Sequence, residues 1–123
     1  MIIECFGIRS RNKLTDEWKE RGARQNDYAI LTNQIYKYGF GFFANEIKKE
    51  LGLNPKANIR DHMSDLNLVL TNLGETVARE LHINKDSQGV NELKRDTKDA
   101  GDIMNNTRKE IDAKLEPNLI KDK

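Results

Sequence analysis

The stretch NIRDHMSDLNLVLTNLGE, Asn58 to Glu75, decides how this chain is read. An arginine, two aspartates and a histidine fall within eight residues and then give way to leucines. Either those groups form a site for chemistry, or they are the polar start of a helix. Asn58 is a good N-cap, and Asp61 follows three residues on, where an acid answers the cap and the helix dipole. Beyond it Ile59, Met63, Leu66, Leu70, Leu73, Val77 and Leu81 recur at spacings of 4-3-4-3-4-4. That pattern predicts one amphipathic helix of about 25 residues.

The chemical reading is weaker. His62 and Asp65 stand at i,i+3 and can touch on a helix surface. A metal would need further ligands converging from elsewhere. The only other histidine, His82, lies on the far side of the same helix and cannot share an ion with His62. Asp61 and Asp65 are predicted to face solvent, and His62 to pack, half-buried, at the border of the apolar stripe. No G-x-S-x-G elbow, phosphate-binding loop or usefully spaced Cys/His pair occurs. The sequence therefore predicts no catalytic residue, no metal and no cofactor.

Working outward, NKDSQG (residues 84–89) reads as a turn. After it Val90, Leu93, Thr97, Ala100, Met104, Thr107, Ile111 and Leu115 repeat at 3-4-3-4-3-4-4. Two long helices with matching seams and a short turn predict an antiparallel hairpin. Thr97, Ala100 and Gly101 are small enough to permit close approach within it. Upstream, a first helix is expected from near Ile3 to about Arg21, with Ile3, Phe6, Leu14 and Trp18 on one face and Gly22 as its stop. The short start MIIECFGI is the only plausible strand. A second helix is expected to begin at an Asn26/Asp27 cap, cover YAILTNQIYKY and break at YGFG. A third, FFANEIKKELG, places Phe43, Ala44, Ile47 and Leu51 on one side and stops at Gly52. The expected fold is all-α: a single domain over residues 1–123, a helical bundle whose long antiparallel hairpin packs on three shorter helices.

Composition agrees. The chain has 123 residues, a third of them charged, and a mean hydropathy of −0.79, so its apolar residues must be gathered into stripes. Its net charge of +1 gives no strong footprint for nucleic acid. The single cysteine, Cys5, cannot close an internal disulfide and is expected to be a buried spare thiol. With no apolar membrane span and no signal peptide, the expected location is the cytoplasm.

Four surfaces are candidates for binding. The pairing of FFANEIKKELGL with NPKANIRDHMSDL resembles a helix-turn-helix, with Lys56 and Arg60 near the start of its second helix and Arg60, Ser64, Asn67 and Thr71 on its outer face. Asp61 and Asp65 would repel phosphate there. Six of the eight aromatics, Tyr28, Tyr36, Tyr38, Phe40, Phe42 and Phe43, fall within sixteen residues. They are expected to fill the core, although beside Lys37, Lys48 and Lys49 they would also suit stacking on single-stranded bases. Arg9, Arg11 and Lys13 of RSRNK form a basic patch on the first helix. Leu68 is predicted to project opposite the apolar stripe, where a lone exposed leucine is usually without a role and is otherwise an oligomer contact.

Three blocks carry a family resemblance: IRSRNKLTDEWKERGARQNDYAILTNQIYK, GLNPKANIRDHMSDLNLVLTNLGE and NNTRKEIDAKL. Together they resemble the C-terminal region of the Bro/DinD group, phage antirepressor-like proteins and relatives of damage-inducible protein D. The resemblance spans about Ile8 to Leu115. It implies a C-terminal module that lacks the N-terminal Bro domain, so DNA binding assigned to that domain does not transfer. It also implies prophage or SOS-type regulation, with a repressor or the RecA recombinase as partner. Within the matched blocks Trp18 reads as a core anchor and Gly22 and Asn58 as caps, while Arg21, Arg60 and Arg108 have no obvious structural duty.

The leading expectation is thus a non-enzymatic regulatory interaction module acting on a protein partner. The alternatives are a direct DNA-binding module or an oligomerisation scaffold that forms a homo-oligomer. The candidate contact residues are Arg60, Lys56, Ser64, Arg21, Arg108, Arg9, Arg11 and Lys13.

Overall fold

The computed structural model describes the backbone of residues 2–115 and the side chains of residues 9–115. Among the described residues there are five α-helices, one 3₁₀ turn and no strand. The helices are α1 (Ile2–Glu20), α2 (Gln25–Phe40), α3 (Ala44–Glu50), α4 (Asp65–Lys85) and α5 (Gly89–Lys114), and the 3₁₀ turn is Ile59–His62. The all-α expectation holds, and the N-terminal stretch is helix, not strand. The side chains of Ile3, Cys5 and Phe6 lie outside the described residues. No described helix is long and apolar enough to cross a membrane.

Local chemistry sets the helix ends. Gly22 takes φ +99°, and the Ala23 N–H reaches back to the Trp18 carbonyl at 2.9 Å, closing α1 with the left-handed residue that glycine adopts without strain. The cap of α2 is Arg24, earlier than expected. Asp27 sits at the third helical position, and its carboxylate accepts the Arg24 N–H at 3.0 Å. Phe43 caps α3 in the same way, its N–H donating to Glu46 at 2.7 Å. That role leaves Phe43 exposed, not on the packed side as expected.

The largest departure lies in the stretch first quoted. Asn58 does act as a cap, accepting the Arg60 N–H at 3.0 Å, but it starts only the 3₁₀ turn. Met63 is extended, and Ser64 recaps the chain by accepting the Asn67 N–H at 3.2 Å. Two N-caps stand in series here, and the one beside Asp65 and the leucine run nucleates the long helix.

Side-chain pairings give the helix directions. Ser10 meets Thr76, Trp18 meets His82 and Arg21 meets Asp86, so α1 and α4 run parallel. Gln34 meets Thr97 and Gly39 meets Arg108, so α2 and α5 also run parallel. Gly74 lies on Met104 and His82 on Asp96, which makes α4 and α5 the expected antiparallel hairpin. α1 packs on α4 and α2 on α5, with weaker contacts between α1 and α2 and across the diagonal from α2 to α4. The α2–α4 connection must cross that diagonal, and α3 and the 3₁₀ turn form the crossing.

The core draws Leu14 and Trp18 from α1, Leu31, Ile35, Tyr36 and Phe40 from α2, and Leu93, Ala100 and Met104 from α5. Gly101 does allow close approach, but to α2: a Cβ there would lie 2.6 Å from the Tyr38 Cβ and 3.3 Å from the Gly39 nitrogen. Thr97 likewise bonds Gln34 of α2. The aromatic run is only partly core, since Tyr36 and Phe40 are buried whereas Phe42 is 46% and Phe43 42% exposed. Leu68 is buried, so it offers no oligomer contact. α4 touches three helices, and its buried arc is therefore wider than the apolar stripe alone.

Candidate functional site

Arg60, read from the sequence as a free arginine, is tied to the core. Its Nη1 donates to Glu75 Oε2 at 2.9 Å and its Nη2 to Asn72 Oδ1 at 2.8 Å. Arg11 reaches the same Glu75 oxygen at 3.7 Å and lies over the Trp18 ring, 5.5 Å from its centroid. Glu75 is only 2% exposed. Burial pushes its carboxyl above the usual range, and the two guanidinium groups pull it back towards the charged form. A buried carboxylate needs such partners, which is the duty that the sequence did not reveal.

In front of this pair lies a cleft of about 370 Å³, lined by Arg11, Thr32, Tyr36, Lys48, Asn58 and Arg60. Four elements build it: α1, α2, α3 and the crossing segment. Lys48 is braced over it by a 2.8 Å hydrogen bond to the Pro55 carbonyl. Tyr36 is buried, and burial raises its phenol above the ordinary range, so it stays protonated and able to donate. The Thr32 hydroxyl is buried with no hydrogen-bond partner among the described residues. Arg11 and Arg60, 49 positions apart in the chain, thus meet at one place, and Lys48 joins them.

A second polar constellation went unread in the sequence. Trp18 Nε1 donates to His82 Nε2 at 3.1 Å. Because indole only donates, that ring nitrogen must be unprotonated, so Nδ1 carries the proton and donates to Asp96 Oδ2 at 3.0 Å. Ser87 also donates to Asp96, through a short contact, and Arg95 Nε donates to the other oxygen at 3.2 Å. Trp18, His82, Ser87 and Asp96 are all at 0% exposure. Burial lowers the His82 pKa despite Asp96, which keeps the ring neutral. Burial also works against the Asp96 carboxylate, but hydrogen bonds from Ser87, His82 and Arg95 outweigh it and hold its pKa below the ordinary value. Serine, histidine and aspartate are together, yet the histidine nitrogen that a hydrolase would use as base is taken by indole, and the serine bonds the acid. The cluster is a structural pin.

The other candidate residues scatter. Arg21 pairs with Glu17 at 2.8 Å and Asp86 at 3.0 Å and donates to the Ser87 carbonyl, stapling α1 to the α4–α5 turn. Arg108 donates to the Gly39 carbonyl, Asn105 and Asp112, joining α5 to α2. Ser64 is spent on its cap. Arg9 and Lys13 line a separate hollow with Arg79, away from Arg11. Lys56 is exposed on the crossing loop. Asn67 and Thr71 are buried, not outward-facing as expected, because α4 turns that side into the bundle. His62 is exposed and does not pack as expected, because it ends the 3₁₀ turn before α4 begins; Asp61 and Asp65 face solvent as read. The helix-turn-helix face is thereby dismantled: Arg60, Ser64, Asn67 and Thr71 are all engaged or buried. Phe42 and Phe43 stand exposed where α2 passes into α3, with the Lys37 ammonium 5.1 Å from the Phe43 centroid. Comparison with family models, curated proteins and solved structures finds no match to this chain.

Proposed function

We propose that the chain is a non-enzymatic regulatory interaction module of a phage, prophage or SOS-type protein, acting on a protein partner such as a repressor or recombinase. One observation carries the reading: adjacent exposed phenylalanines, Phe42 and Phe43, sit at the crossing segment, chain-adjacent to α3 and its lysines Lys48 and Lys49. Exposed paired phenylalanines match the aromatic enrichment of protein interfaces. The resemblance to the Bro/DinD C-terminal region supplies the regulatory context. In an anisotropy titration, the chain should raise the signal of labelled single-stranded DNA coated with RecA recombinase and leave bare DNA unchanged. Phe42→Ala combined with Phe43→Ala should weaken that response about tenfold or more. No response on the coated strand, or an undiminished response in the double variant, refutes this reading.

A second reading has its own observation. Lys37 over the Phe43 ring, with Phe42 alongside, would also serve as a stacking platform for single-stranded nucleic acid. It predicts binding to bare DNA that weakens steeply between about 50 and 200 mM salt.

A further inference from the structure

We propose that the cleft between α1, α2, α3 and the 3₁₀ turn is a binding site for a phosphate monoester. This goes beyond the partner-binding reading, because the cleft residues are distinct from Phe42 and Phe43 and its occupancy does not depend on them. Three cations from three separate elements converge there: Arg11, Lys48 and Arg60. Glu75, behind them, balances one, which leaves a net charge of +2 facing the cleft. That excess suits a dianion better than a carboxylate.

The donors are held in place before any ligand arrives. Arg60 is fixed by Glu75 and Asn72, a pairing that uses two of its five N–H groups and leaves three. Fixed guanidinium groups with spare donors are the groups best matched to phosphate oxygens. Tyr36, protonated and buried, and Thr32, whose hydroxyl has no partner among the described residues, add neutral donors. A volume of about 370 Å³ accommodates the phosphate together with a sugar-sized group. Glu75 fits the same picture: a buried acid that gathers two arginines at one wall is a costly device for stability alone, whereas as an anchor it places both arginines for a ligand.

The test is calorimetric titration of the whole chain with inorganic phosphate, a nucleoside 5′-monophosphate, the matching 3′,5′-cyclic monophosphate, and the bare nucleoside. The 5′-monophosphate should bind saturably, about tenfold or more tighter than the cyclic diester, with no heat from the nucleoside. A short oligonucleotide with and without a 5′-phosphate distinguishes a free metabolite from a strand end as the source of the monoester. Arg60→Ala risks unfolding the chain, so Lys48→Gln and Thr32→Val are the informative variants. Each should keep the native melting curve and weaken monophosphate binding by about fivefold or more. Phe42→Ala should leave it unchanged. Absence of saturable monophosphate binding, equal affinity for the diester, or unaltered affinity in both cleft variants overturns the proposal.

Discussion

Asp96→Ala is the substitution with the most to lose. Asp96 accepts from the His82 ring and the Ser87 hydroxyl at 0% exposure, and from Arg95 at the rim. Removing the carboxylate strands two buried donors, each costing about 1–3 kcal/mol. It also leaves a small cavity and releases the imidazole that holds the Trp18 indole. The sum is about 3–5 kcal/mol, against a typical domain stability of roughly 5–15 kcal/mol. Asp96→Asn keeps one acceptor oxygen but turns an amide N–H₂ towards a donor, and should fall between the alanine variant and wild type. Asp99→Ala, three residues on and part of an exposed pair with Lys85 at 3.8 Å, should cost under about 0.5 kcal/mol. Urea unfolding followed by tryptophan fluorescence reads all three, because Trp18 is the only tryptophan and belongs to the cluster itself. An Asp96→Ala unfolding free energy within about 0.5 kcal/mol of wild type would refute the assignment of this cluster as a structural pin.

Acid should find the same cluster from another side. The native His82 pKa is depressed below 6.5, so as pH falls through 6.5 the unfolded chain takes a proton that the native chain refuses, and stability drops by up to about 1.4 kcal/mol per pH unit. Glu75, with its raised carboxyl, opposes that trend at lower pH, where the native chain is the better proton acceptor; a flat profile between pH 7 and 6 would contradict the neutral imidazole. Arg60→Ala should destabilise by about 3 kcal/mol, because it leaves Glu75 short of its closest cation, whereas Lys56→Ala should stay within about 0.5 kcal/mol in a thermal melt. Gly101→Ala should cost about 1–3 kcal/mol despite the better helix propensity of alanine, because its Cβ would meet the Tyr38 Cβ at 2.6 Å; a stabilised variant would disprove the close α2–α5 approach.

Hydrophobic spacing made the fold legible. It located α1 and the α4–α5 hairpin, with a turn that is shorter than the expected 84–89 and covers only residues 86–88, and glycine chemistry located the stops at Gly22 and Gly52. What it hid was polar. Along α4 a second stripe, Asn67, Thr71, Glu75, Ala78 and His82, runs at spacings of 4-4-3-4, and every member is at most 3% exposed. Read as single residues, these suggest a solvated face. Read as a helical stripe, they mark a side that must find polar partners if it is buried. Two of the partners come from α1, Arg11 for Glu75 and Trp18 for His82, each 64 positions away. Others come from the 3₁₀ turn and α5, and no local pattern announces such pairings. Arg21 and Arg108 have helical partners three or four positions away, Glu17, Asn105 and Asp112, that spacing could have shown. Their ties to Asp86, the Ser87 carbonyl and the Gly39 carbonyl, and that of Arg60 to Glu75, close only in three dimensions.

The polar rungs also explain why α1 and α4 sit where they do. A seam of leucines tolerates a slip of one turn, because each leucine finds another hydrophobic contact. Ser10–Thr76, Arg11–Glu75, Trp18–His82 and Arg21–Asp86 do not tolerate it, since a shift would strand the buried indole N–H, leave the His82 Nε2 without its donor and pull Arg11 off Glu75 at once. Register along this parallel pair is therefore set by unlike, non-interchangeable partners, the use of buried polar groups that is best attested in helical assemblies. Because α1 carries Arg11 and α4 carries Glu75, that register also fixes the Arg11–Arg60 wall of the cleft. Perturbing the His82 pin should therefore alter the cleft without touching it. A chain carrying Asp96→Asn, still folded, should bind the monophosphate more weakly than wild type, while Arg9→Ala, outside the ladder and outside the cleft, should bind it unchanged. Equal binding by both variants would show that the cleft holds its shape independently of the ladder.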